Sequence, residues 1–198
     1  LPSLGGQMGK SGKSSFRFLA PIVFSLAFLF VFSVFTLSIF ASNQTNPHPR
    51  SIHVTVVKVS DGDTVQGETP EGTKLKIRLY GIDAPEIAHG KITGQPMGKE
   101  SLTVLKNKVL NKNLKIDLLD VDRHRRIVAM LWMGNRNINL EMVKEGYAEA
   151  YREYLKDPYR LSFMEAEREA QTAKKGIWAL ETYERPSSFK RRIRAGVN

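Results

Sequence analysis

The sequence predicts an α+β domain in which five short strands, interrupted and followed by three helices, build an OB-like barrel behind an apolar N-terminal helix. Three observations carry this. Period-two alternation of β-branched residues recurs in five segments, apolar stripes at helical spacing recur in three, and residues 18–41 run without a charge.

The elements follow in order. Phe18–Ala41 is 24 uncharged residues long, and a helix of that length spans roughly 36 Å, enough to cross a hydrocarbon core of about 30 Å. Lys10, Lys13 and Arg17 precede it and no Lys or Arg follows until Arg50. The positive-inside rule therefore puts residues 1–17 in the cytoplasm and the remainder outside. A cleaved signal peptide competes with an uncleaved anchor, although the run exceeds the usual apolar core and Ile39-Phe40-Ala41 is a poor cleavage site. A soluble core helix fits worst, because a helix apolar all round needs a large protein about it.

Residues 42–51, rich in Asn, Pro and Ser, read as a linker to a domain over 52–180. Ile52–Val59 is the first strand. Thr64–Glu68 and Lys74–Tyr80 pair across Thr69-Pro70-Glu71-Gly72, a Pro/Gly turn that signals a hairpin. Gly98–Leu110 is a helix with Leu102, Leu105 and Val109 on its apolar stripe. Asn113–Leu119 and Ile127–Met133 are strands around a polar turn. Asn137–Glu145 is a short helix, and Pro158–Lys175 a longer one closed by Gly176. Residues 181–198 read as a basic tail.

The net charge of +10 changes meaning once it is divided along the chain. Lys10, Lys13, Arg17 and Arg50 lie in the first 50 residues, and Arg185, Lys190, Arg191, Arg192 and Arg194 in the last 14, without an acid in either stretch. The 21 bases left in residues 51–184 face all 20 acids. A basic tail suits nucleic acid or an anionic membrane surface. Any phosphate bound by the domain must be held by particular residues, not by an overall field. The absence of cysteine excludes disulfides, thiolate metal sites and a cysteine nucleophile.

Two clusters and a basic turn carry chemistry. Asp61-Gly62-Asp63-Thr64 ends the first strand, and by itself it is a good turn, with Gly for positive φ and Asp for capping. Arg78-Leu79-Tyr80-Gly81-Ile82-Asp83-Ala84-Pro85-Glu86 puts an arginine on a strand's polar face and two carboxylates around a proline. Solvated acids and a surface ion pair are its plain account. Asp122-Arg123-His124-Arg125-Arg126 is a dense basic turn that a solvated face also explains. Taken together the three say more. Asp63 and Asp83 are hard oxygen donors of the kind calcium prefers. Phosphodiester hydrolysis needs a cation and guanidinium groups against the charge that develops on phosphorus, and a carboxylate to hold the attacking water. Arginine's planar fork suits phosphate better than a lysine.

The stretches VSDGDT (59–64), IRLYGIDAPE (77–86), GQPMGKE (94–100), DRHRR (122–126), NLEMVKEGYAEAYREY (139–154) and EAEREAQTAKKGIW (165–178) resemble, in order and spacing, the staphylococcal nuclease (thermonuclease-like) family. The resemblance covers 127 residues, Ile52–Trp178. It implies an OB-like five-stranded barrel with three helices. It also implies Ca2+-dependent hydrolysis of DNA and RNA, cutting the P–O5′ bond to leave 3′-phosphate ends. Carried over by position, Asp63 and Asp83 resemble the calcium carboxylates and the carbonyl of Ala84 a further ligand. Glu86 is similar to the water-orienting base, and Arg78 and Arg126 to the phosphate-binding arginines. Tyr151 and Tyr154 fall where the family places tyrosines around the nucleotide. Three departures stand out: Ala84 in place of a threonine, Arg125 in place of a glycine, and His124 at an aromatic position.

The whole reads as a membrane-anchored, exported nuclease with DNA and RNA as substrates, acting as a monomer with no protein partner evident. A non-catalytic nucleic-acid-binding module on the same barrel is the rival, and it would be expected to lack some of Asp63, Arg78, Asp83, Glu86 and Arg126. Trp132, Phe163 and Trp178 are expected in the core or at helix-docking positions, and no histidine shows ligand spacing.

Overall fold

The computed structural model describes residues 49–90 and 92–196. The basic N-terminus, the apolar segment 18–41 and most of the linker lie outside these residues. Among the described residues no helix is long and apolar enough to cross a membrane.

Strand β1 (Arg50–Val59) leads through the Asp61–Asp63 turn into β2 (Thr64–Glu68), and β2 into β3 (Lys74–Leu79). The β2–β3 hairpin keeps the expected pairing, Glu68 opposite Lys74, and Gly72 closes its turn at φ 82°. After the two-residue strand β4 (Ile82–Asp83) come helix α1 (Gly98–Val109), β5 (Asn113–Val121) and β6 (Ile127–Met133). Then follow β7 (Arg136–Asn137), α2 (Ile138–Lys144), β8 (Glu149–Ala150), α3 (Arg160–Thr172), a 3-10 turn (Gly176–Ala179) and α4 (Pro186–Arg194).

The large sheet runs β3-β2-β1-β5-β6-β7 and closes on itself where β3 pairs β6 in parallel. That seam is three residues long, Ile77 opposite Ile127, Arg78 opposite Val128 and Leu79 opposite Ala129. The sequence anticipated an OB-like barrel but not how it closes; parallel pairing between strands so far apart in the chain has no local sequence signal. The alternation behaves as read. Val54, Val56, Val65, Ile77 and Leu79 point inward and are fully or almost fully buried.

Helix α1 lays Ser101, Leu105 and Val109 against the barrel, a stripe rotated slightly from the expected one so that Leu102 is only half-buried. Gly62 allows this approach. A Cβ there would come within 2.2 Å of Ser101 Oγ and 2.7 Å of Ala84 Cβ. Phe163 of α3 is fully buried, whereas Trp132 and Trp178 are half-buried. The three helices expected are present, but α4 makes a fourth, so the supposed tail is structured. Pro186 at its first turn and the buried Phe189 were its unread signals.

One buried amide fastens the seam. Asn139 of α2 donates to the carbonyls of Tyr80 and Ala129, 3.0 Å each, and accepts from the Leu131 N–H at 2.9 Å. Asn139→Ala would strand the Tyr80 carbonyl and the Leu131 N–H, while the Ala129 carbonyl keeps the Tyr80 N–H at 2.8 Å, and a loss of about 3 kcal/mol in urea unfolding is expected; a loss below about 1 kcal/mol would refute its role. On the opposite face of α2, Glu141 takes Arg136 in a two-point bond (2.6 Å each) and Lys108 at 2.8 Å. The Arg136 bond, with Lys108 in support, holds its carboxyl at about 2 against the usual 4.5. A depressed acid contributes stability that is full above its ordinary value and disappears as pH falls toward its folded value. Acid titration of stability should therefore be flatter between those limits in Glu141→Gln, measured by urea midpoints; identical profiles would count against the clamp.

Candidate active site

Asp63 stands at the end of the β1–β2 turn, where everything around it is fixed. Its N–H donates to Asp61 Oδ1 (2.9 Å), Thr64 Oγ1 donates to its Oδ1 (3.0 Å), and the Ala84 N–H donates to its Oδ2 (2.9 Å). The β2–β3 register sets Thr64 opposite Arg78. The Arg78 guanidinium then bridges two acids, Nη1 to Asp63 Oδ2 at 2.9 Å and Nη2 to Asp83 Oδ1 at 3.0 Å. Asp83 is held in β4 by pairing with Glu149 of β8. Two carboxylates from separate segments thus meet at one point, beneath the surface.

Glu86 stands at the rim, its side chain one-third exposed. Its backbone is gripped by Gln95, which accepts from the Glu86 N–H through Oε1 (3.0 Å) and donates its own N–H to the Glu86 carbonyl (2.8 Å). Gly98 at the start of α1 passes so close that a Cβ would lie 2.4 Å from that carbonyl. Arg126 precedes β6, which the seam sets beside β3. Its Nε donates to Asp122 Oδ2 at 2.7 Å and Nη1 lies 3.5 Å from Thr64 Oγ1, one residue from Asp63. Arg125, in the place of a family glycine, adopts φ 61°, so the turn keeps a glycine-like bend despite its side chain.

Tyr151 hangs from the Gly81 carbonyl by its N–H (2.8 Å), with its ring 4.6 Å from that of Tyr154. Burial and the Asp83 charge push its hydroxyl above the ordinary range, which marks it as a neighbour of the carboxylates. Tyr154 is 60% exposed. His124 is exposed and bonded to Arg123.

The electrostatics are those of crowded acids. Burial, then the Asp63 charge, push Asp61 up to about 7. Burial also works against an ionised Asp63, but Arg78 and then Lys190 outweigh it and hold this carboxyl below the ordinary range. Burial and Asp63 push Asp83 up. The Oδ2 of Asp83 is buried with no hydrogen-bond partner among the described residues. An orphaned acceptor on an acid among other acids is costly unless a cation meets it. Among the described residues no three acid or histidine side chains form a closed cage for a metal. A hard ion that accepts carboxylate and water oxygens fits the two acids that meet here, Asp63 and Asp83.

The residues read from the sequence are brought together: Asp63, Arg78 and Asp83 in direct contact, Ala84 through its N–H, Glu86 at the rim and Arg126 through Thr64. Four neighbours were missed. Asp61 was read as a turn cap, although DGD placed it two residues from Asp63. Gln95 lay in a matched block without a role. Glu149 was hidden because its pairing with Asp83 joins residues 66 apart in number. Lys190, whose ammonium lies 2.8 Å from both Asp83 Oδ1 and Glu86 Oε1, was assigned to a tail.

Comparison with known proteins bears on the family. The profile of the family described as Staphylococcal nuclease homologue matches residues 76–180. An uncharacterized endonuclease of Haemophilus influenzae is 38% identical over 136 residues, 69% of this chain and 71% of the relative. The probable endonuclease LCL3 of the yeast Vanderwaltozyma polyspora is 36% identical over 129 residues, 61% of this chain. The chain spans only 46% of that yeast protein's length. Endonuclease Htp3 of Saprolegnia parasitica is 31% identical over 166 residues, 73% of this chain and 78% of the relative. A barrel with this site, matched over more than half its sequence, belongs to the staphylococcal nuclease family, and the protein is a nuclease, a hydrolase of the endonuclease type.

Proposed function

We propose that this nuclease depends on calcium and hydrolyses the P–O5′ bond of DNA and RNA, leaving 3′-phosphate ends. The observation that carries the reading is the pair of buried carboxylates, Asp63 and Asp83, joined by one guanidinium with an acceptor oxygen left over. We also propose that it works outside the cytoplasm on a membrane anchor, which rests on the charge-free segment 18–41 and the lysines and arginine before it.

Asp63, Asp83 and the Ala84 carbonyl would hold the cation. Calcium, when bound, supplies positive charge against the oxygens of the phosphorane-like transition state. Glu86, at the solvent edge, orients a water in line with phosphorus and accepts its proton. Arg126 stays on Asp122 through Nε and offers its remaining donors to the phosphate. Arg78 neutralises the two aspartates in the cation-free state. Once they are charge-balanced otherwise, its guanidinium donors become available to a non-bridging phosphate oxygen. The water oxygen bonds to phosphorus, the P–O5′ pair leaves with O5′, and a proton restores the 5′-hydroxyl.

Two outcomes test the reading. Arg126→Ala should lower kcat by about a hundredfold or more with the fold retained, as loss of transition-state charge stabilisation does; unchanged turnover would remove Arg126 from the mechanism. Activity should vanish in EGTA and return with calcium, while magnesium, with its tight octahedral shell, restores it poorly. Equal rates in the two ions would overturn the calcium assignment.

A further inference from the structure

Helix α4 lies beside the carboxylates because its leading residues are tied there. Arg185 Nε lies 3.1 Å from both oxygens of Glu149, the strand partner of Asp83. Tyr183 Oη donates to the same acid at 3.1 Å, and Gln95 Nε2 donates to the Glu184 carbonyl at 2.8 Å. Phe189 is buried beneath the helix. One residue on, Lys190 extends over the site and bonds Asp83 and Glu86 at once. Gln95 thus grips both the Glu86 loop and the segment leading to Lys190.

We propose that Lys190 is a substrate-binding residue of this nuclease: its ammonium aligns Asp83 and Glu86 in the free protein and contacts a phosphodiester oxygen when nucleic acid is bound. The inference rests on the reading of the site given above. Charge favours it. Asp63, Asp83 and Glu86 are three acids in contact with two cations, Arg78 and Lys190. A divalent ion turns that set net positive by one charge. Without Lys190 the loaded set would be neutral toward an incoming phosphate, and residues 51–184 have no broad positive field to compensate.

Geometry favours it as well. Lys190 and Arg78 share Asp83 Oδ1, and Oδ2 is the oxygen left without a partner. A cation can take Oδ2 with Lys190 still in place, so the lysine is not compelled to leave. A compact charge on a flexible four-carbon stem can then move a short way from Glu86 to a phosphate oxygen. The competing account makes the lysine a plug that merely fills the cation's place. The two accounts predict opposite effects once calcium is saturating.

The test uses the full chain in detergent, as wild type, Lys190→Met, Lys190→Gln and Lys190→Arg, with circular dichroism confirming the fold. Saturating-calcium kinetics on DNA should show kcat/KM lowered about ten- to a hundredfold in the Met and Gln variants, mostly through KM, as loss of one charge-assisted contact gives. Lys190→Arg should recover most of it. Anisotropy of a phosphorothioate oligonucleotide, measured across salt, should give a log–log slope shallower by about 0.7–0.9, the value of one phosphate contact. Calcium affinity by calorimetry should hold or rise. A kcat/KM at or above wild type in the neutral variants, together with tighter calcium binding, would establish the plug and overturn the proposal. An unchanged salt slope would also overturn it. Should the wild type cut nothing in calcium, the calcium reading fails, while the anisotropy arm still decides the lysine's contact.

Discussion

Every part of the active site is referred to one short seam, the parallel contact of β3 with β6. Three residue pairs close the barrel there, and the closure decides which side chains share a neighbourhood. Arg78 sits in the middle pair and Arg126 immediately before the partner strand. The chain then leaves β3 through Tyr80 and Gly81 to deliver Asp83. Parallel pairing of strands so distant in sequence is entropically demanding. Asn139 helps to hold it, spending all its bonding capacity but one lone pair on backbone groups from both sides.

From that seam the site is assembled by backbone more than by side chains. The Asp63 carbonyl receives the Leu79 N–H at 2.8 Å, and its carboxylate receives the Ala84 N–H, so the acid is fixed in the frame of β3 and β4 together. Asp83 is fixed by β8, and Glu86 by Gln95. Only the cations reach in on long stems. Such an arrangement concentrates like charges where burial penalises them, and crowded acids of this kind are a feature of functional sites. The stability given up here is compensated elsewhere, by the closed core and by clamps such as Lys108 between Glu141 and Glu145.

Local physics made much of this legible before any coordinates. Alternation located β2 and β6 to the residue, and the Thr69–Gly72 turn located the hairpin. The site acids could be named because DGDT and IDAPE place hard donors on strand ends. What escaped was non-local. The two-residue strands β4 and β8 carry no periodicity, yet their pairing brings Glu149 beside Asp83. The closing seam escaped for the same reason. The C-terminal segment misled in another way: its charge suggested a solvated tail, while Pro186, Phe189 and Ile193 recur at helical spacing and Phe189 is buried. Net charge spoke louder than period, and the period was right.

The docking of α4 has an optical side. The protein holds only two tryptophans, and they lie in different surroundings. Trp132 sits on the barrel with the Lys115 ammonium 6.0 Å from its ring, whereas Trp178 meets Tyr183 edge-on at 5.1 Å, beside the residues that lead into the helix. An event that lifts α4 from the carboxylates therefore alters the environment of one indole and spares the other. With Trp132 replaced by phenylalanine, the intrinsic emission of the remaining indole becomes a label-free gauge of whether that helix is seated.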